Sequence, residues 1–163
     1  LIEGGGQERG LRSGTLPTPL CMGLGRAAEL ARAEMREEAQ RLQQLRDRLY
    51  ANLRRRIPDL QLNGDLEHRL PGNLNFSIPG ITASALIEAC PSVAMSTGSA
   101  CTSASVEPSY VLRALGLPDD RANGSIRLGL GRFTTATEVD FAAEAIAAAV
   151  SRLRQAGGTA AAG

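Results

Sequence analysis

Between Pro19 and Pro58 apolar side chains recur at steps of three and four: Leu24, Ala28, Ala31, Met35, Leu42, Leu45, Leu49 and Leu53. That spacing lines them along one face of a helix, and a helix of this length needs a surface to pack on. Pro17 and Pro19 suit its opening turn, and Pro58 stops it near Arg56. The stripe almost fits a heptad, but Glu38 breaks the seam and the run is short, so packing on a domain is favoured over a coiled coil. Arg32, Arg36, Arg46, Arg48 and Arg54 to Arg56 lie among Glu29, Glu34, Glu37, Glu38 and Asp47, which reads as a solvated face of spaced charge pairs.

After Pro58 the period changes. Leu60 to Leu62 reads as a short strand ended by an Asn63-Gly64 turn, and 73–78 alternates Leu74, Phe76 and Ile78 on one face before Pro79-Gly80. A helix is expected from Thr82 to Cys90, a buried strand from Ser92 to Met95, a loop from Ser96 to Glu107, and a helix from Pro108 to the glycine stop at Gly116. Ser125 to Leu130 reads as a strand, and Thr135 with Glu138 caps a last helix to about Gln155. The order predicts an α/β fold with a long N-terminal linking helix and a small, mainly antiparallel sheet covered by helices on one side. Residues 1–16 are too rich in glycine for a regular element, 17–156 form the domain, and 157–163 are expected to fray. A start at Leu1, within Leu-Ile-Glu-Gly-Gly-Gly, predicts that the chain is cut from something longer.

A net charge of +1 gives nucleic acid and anionic membranes no evident purchase. No apolar run approaches the ~20 residues of a membrane helix, and the expected location is the cytoplasm. Three cysteines and one histidine lack metal-ligand spacing, so no metal is expected, and an odd cysteine count favours free thiols. All 18 basic residues are arginine, which denies the chain any lysine Schiff base of its own.

Chemistry concentrates at Cys101. Ser96 to Ser105 is a run of small residues with nothing to anchor it in a core, so this thiol is expected to be exposed and mobile. Cys90 follows Leu86-Ile87 and reads as buried, and Cys21 as packed on the long helix. A cationic neighbour would favour the Cys101 thiolate, and Arg113, Arg127 and Arg132 are candidates. Arg127 lies between Ile126 and Leu128 in a strand, where it either points to solvent or clamps a carboxylate with its planar fork. Arg132-Phe133-Thr134 follows as a possible pocket wall, and His68, in a polar turn, is placed at the surface. Arg12-Ser13-Gly14-Thr15 offers a guanidinium, hydroxyls and backbone N–H groups ahead of a helix, a set suited to phosphate.

Taken in order, the segments 4–17, 62–65, 99–105 leading to 107–116, 125–127 and 131–135 resemble the C-terminal part of a cysteine desulfurase of the NifS and IscS type. These are pyridoxal-phosphate enzymes of the fold-type-I, class-V aminotransferase superfamily. The resemblance implies that residues 1–16 are a remnant of the large cofactor-binding domain. It also implies that Cys101 is the nucleophile taking sulfur from L-cysteine as a persulfide with release of L-alanine. Arg127 would hold the substrate carboxylate, and Thr15 would bond the pyridoxal 5'-phosphate of the partner subunit in a homodimer. An iron–sulfur scaffold protein is the implied acceptor. The family's Schiff-base lysine would lie upstream, so the resemblance implies an inactive chain when alone. A cofactor-free sulfur carrier or interaction module is the alternative.

Overall fold

The computed structural model describes residues 3–97 and 109–160, the side chains of 158–160 excepted. The chain divides into two units, Leu1–Glu38 and Ala39–Gly163. That division falls inside the long helix, whereas the sequence reading sets its boundary at residue 16.

In the first unit a 3-10 turn, Gln7–Gly10, precedes helix α1, Thr18–Arg56, whose residues up to Glu38 belong to this unit and the rest to the second. The turn is knotted by its own polar groups. Ser13 Oγ donates to the Glu3 carbonyl at 2.8 Å, and the Gly14 N–H donates to Gln7 Oε1 at 3.0 Å. Glu8 and Arg9 both take left-handed backbone angles, with φ of 52° and 57°, a conformation that costs a side-chain-bearing residue about 1 kcal/mol or more. Leu20, Met22, Leu24 and Cys21 are all exposed, so the packing expected of Cys21 is corrected.

The second unit holds the remaining elements: β1 Gln61–Leu62, β2 Asn73–Ser77, α2 Ala83–Ala89, β3 Ser96–Thr97, α3 Tyr110–Ala114, α4 Asp119–Asn123, β4 Ser125–Gly129 and α5 Ala136–Ala160. The four strands form one antiparallel sheet in the order β1-β2-β4-β3. Alternation along β2 and β4 sends Leu74, Phe76, Ile126 and Leu128 to one face, where they meet Leu49 and Leu53 of α1, Leu86 of α2, and Val139, Ala143 and Ile146 of α5. Each large side chain sealed here contributes roughly 1.5–3 kcal/mol of burial. Gly72 allows β2 to begin against β4, because a Cβ there would run into the Leu130 carbonyl oxygen.

Four local expectations change. The third strand is Ser96–Thr97 and not Ser92–Met95, because Val93 N–H still donates to the Cys90 carbonyl at the end of α2, and the ladder with β4 starts only beyond it. Helix α4 was not anticipated, although Pro118 with Asp119 and Asp120 is an N-terminal signal. Helix α5 continues past Gln155 to Ala160, into the stretch expected to fray, since its alanines favour helix and one or two glycines do not stop it. The arginine face of α1 is not uniformly solvated: Arg46 is buried and bonds Asp47 twice, while Arg48 and Arg56 reach across to Asp140 and Glu144 of α5.

Candidate functional site

The sheet face opposite the core is polar. Asn75 pairs with Arg127, and Arg127 pairs with Ser96 on its other side. Asn63, one residue beyond β1, donates its N–H to the Asn75 carbonyl and extends the same row. Arg127 is half-buried, while its neighbours Ile126 and Leu128 are sealed in the core. Its guanidinium has no hydrogen-bond or ion-pair partner among the described residues. A partly exposed guanidinium without an anion of its own is open to an anionic ligand.

Behind this row lies a closed network that sequence reasoning missed. The Asn63 amide accepts from Arg121 Nε at 2.9 Å and from Ser77 Oγ at 3.4 Å, and donates to Asn75 Oδ1 and Ser125 Oγ, each at 2.8 Å. Ser125 Oγ donates on to the Arg121 carbonyl, and Arg121 Nη2 donates to the Leu62 carbonyl, both at 2.7 Å. Asn63, Ser77 and Ser125 are buried, so nothing but these partners satisfies them. The signal available in the sequence was the run of polar residues at alternate strand positions: Asn73, Asn75 and Ser77, then Ser125 and Arg127.

At the end of β4 the chain turns at Gly131 to Thr134. Arg41 of α1 holds this turn through the carbonyls of Thr134, Arg132 and Gly131, at 2.8, 2.6 and 3.3 Å. The turn walls an open cleft of about 640 Å³ with Val93, Leu128, Phe133, Phe141 and Ala142; Arg132, Phe133 and Thr134 line it, and Arg127 does not.

Cys101 and its loop lie outside the described residues. Of the cations considered for its thiolate, Arg113 is engaged by Asp119 at 3.1 and 3.4 Å. Cys90 is buried as expected, and His68 is exposed with its ring against Asp65. Hydrogen bonds from the backbone N–H groups of His68 and Glu67, aided by that ring, hold the Asp65 carboxyl below its ordinary range.

In the first unit Arg12 Nη1 turns back onto the carbonyls of Gly14 and Thr15 at 2.9 and 3.2 Å. Thr15 is exposed and its hydroxyl has no partner among the described residues, so it fits as one donor to a phosphate oxygen. The chain has no lysine, so none of its own side chains can form a Schiff base with pyridoxal phosphate.

The Aminotransferase class-V family profile matches residues 4–141. Over 155 residues the chain is 53% identical to a cysteine desulfurase IscS of Ehrlichia chaffeensis, covering 95% of this chain and 38% of that protein. It is 52% identical to a cysteine desulfurase of Pongo abelii, covering 95% of this chain and 34% of that one. A solved NifS-like protein superposes with a TM-score of 0.78 at 35% identity, over 93% of this chain and 38% of its own. The chain thus spans little more than a third of the length of the relatives it matches.

Proposed function

We propose, from the premise that the chain belongs to the class-V aminotransferase family, that it is the C-terminal part of a cysteine desulfurase acting on L-cysteine. The observation that carries this is Arg127, a half-buried guanidinium on a polar sheet face with no anion of its own among the described residues. A carboxylate is the ligand its planar fork suits best, since two parallel N–H donors meet two oxygens. Identity above 50% to named cysteine desulfurases supports the same reading.

In this reading Arg127 orients the substrate by its carboxylate, and the Cys101 thiolate attacks the substrate sulfur. A sulfur–sulfur bond forms as the substrate's carbon–sulfur bond breaks. The released electron pair returns to carbon, which takes up a proton to leave L-alanine, and Cys101 holds the persulfide. Pyridoxal 5'-phosphate, held largely by residues outside this chain, supplies the electron sink that makes the carbon–sulfur bond cleavable. Thr15 adds a hydrogen bond to that cofactor's phosphate across a homodimer. The sulfur passes on to an acceptor protein such as an iron–sulfur scaffold.

The test uses the intact enzyme that contains this chain. Cys101→Ser is expected to abolish persulfide labelling by L-cysteine and to lower alanine release by about a hundredfold or more. Labelling that survives the substitution would remove Cys101 from the reaction.

A further inference from the structure

The polar face beside Arg127 carries a second donor whose direction can be derived. Arg121 Nε can only donate, so the Asn63 atom lying 2.9 Å from it is the carbonyl Oδ1. The Asn63 amide nitrogen therefore faces the other way, toward Ser125 Oγ and Asn75, each at 2.8 Å. Only an acceptor can meet that nitrogen, so Asn75 presents Oδ1 to it. The NH₂ group of Asn75 then occupies the branch turned away from Asn63.

That NH₂ group has no partner among the described residues, and neither does the Arg127 guanidinium. The two residues stand directly opposite each other on β2 and β4, where Cβ atoms lie about 4.5–5.5 Å apart on one face. Two donors cannot satisfy one another. Both are half-buried, and both are met at once by a small group that only accepts. A carboxylate, with two oxygens and about four lone-pair sites, is that group.

We infer that Asn75 is a second donor to the substrate carboxylate, set in its orientation by Arg121 acting through Asn63. The inference rests on reading Arg127 as the carboxylate clamp. Arg121 and Asn63 are positioning residues, and Asn75 makes the contact. The arrangement selects for an α-carboxylate more sharply than an arginine alone, because a ligand without one leaves two half-buried donors unpaired.

The experiment measures L-alanine affinity by calorimetry, and KM and kcat for L-cysteine, in the intact enzyme and three variants. Asn75→Ala is expected to weaken L-alanine binding about tenfold and to raise KM similarly, with kcat within about threefold of wild type. Asn75→Asp keeps the side-chain shape but replaces the donor with an acceptor, and is expected to bind more weakly still. Arg127→Ala is expected to lose at least as much as Asn75→Ala. Near-wild-type L-alanine affinity in either Asn75 variant, alongside weakened binding in Arg127→Ala, would overturn the role of Asn75 and leave the clamp standing. A fall in kcat with KM unchanged in Asn75→Ala would also overturn it, since that pattern belongs to a contact made only in the transition state and not to one that binds the carboxylate throughout. Unchanged binding in Arg127→Ala would overturn the clamp reading itself.

Discussion

Asn63 uses every hydrogen-bonding site of its amide, two as acceptor and two as donor, while buried between β1, β2, α4 and β4. Removing it takes one of the two partners of Ser125 Oγ, leaving the bond to the Arg121 carbonyl, and leaves Arg121 Nε with Ser77 alone. Asn63→Ala is therefore expected to cost about 2–4 kcal/mol of stability, read as a lower urea midpoint with an unchanged slope. A loss below about 1 kcal/mol would show that the network contributes little to the fold. From sequence alone Asn63 is half of an Asn-Gly turn, and Gly64 does take the positive φ of 77° that such a turn wants. Its larger role was invisible because Ser125 and Arg121 are 62 and 58 residues away. Arg127 was more legible: strand alternation between two buried aliphatics states which face it takes. Alternation could not decide between solvent and a ligand.

Elements were readable wherever one local rule governed them. The Thr135/Glu138 capping box is present as expected: Glu138 Oε2 accepts from the Thr135 N–H at 2.8 Å, and Thr135 Oγ1 accepts from the Glu138 N–H at 3.3 Å. The stop of α3 at Gly116 has the expected positive φ of 78°. Rules of this kind do not reach the turn after β4, whose shape depends on Arg41 in another element. Arg41→Met keeps the aliphatic stem but removes three hydrogen bonds to that turn. We expect faster amide exchange at Gly131 to Thr134, with β2 and β4 unaffected and a global loss of about 1 kcal/mol or less, because the site is largely exposed. Exchange unchanged in the turn would show that its own two bonds, Gly131 N–H to Thr134 Oγ1 and Thr134 N–H to the Gly131 carbonyl, each at 3.0 Å, hold it without Arg41.

At the scale of the whole molecule, ion pairs tie the end of α1 and the residues just after it to α5. Arg48 and Asn52 meet Asp140, Arg56 meets Glu144, and Arg154 meets Asp59. A hydrogen bond from Arg48 holds Asp140 below the ordinary carboxyl range, and one from Arg154 does the same for Asp59. The Thr135 N–H and hydroxyl lower Glu138 in the same direction. A carboxyl whose folded pKa lies below its unfolded value adds stability that is present above about pH 4 and lost as pH falls through the folded value. The melting temperature is thus expected to hold from neutral pH down to about 5 and then drop, with a shallower drop in Asp140→Asn. An identical acid profile in that variant would mean that Asp140 takes no part in the dependence. The sequence by itself determined the periods: a long amphipathic helix, a small antiparallel sheet, and the face of β4 on which Arg127 lies. Each follows from backbone geometry repeating over a few residues. Only the tertiary structure decided which polar groups meet, burying Arg46, joining Arg48 to Asp140, and turning the Asn75 amide through Asn63 and Arg121. Partner choice depends on antiparallel register between residues far apart in the chain and on which atoms can donate, and no local period carries either.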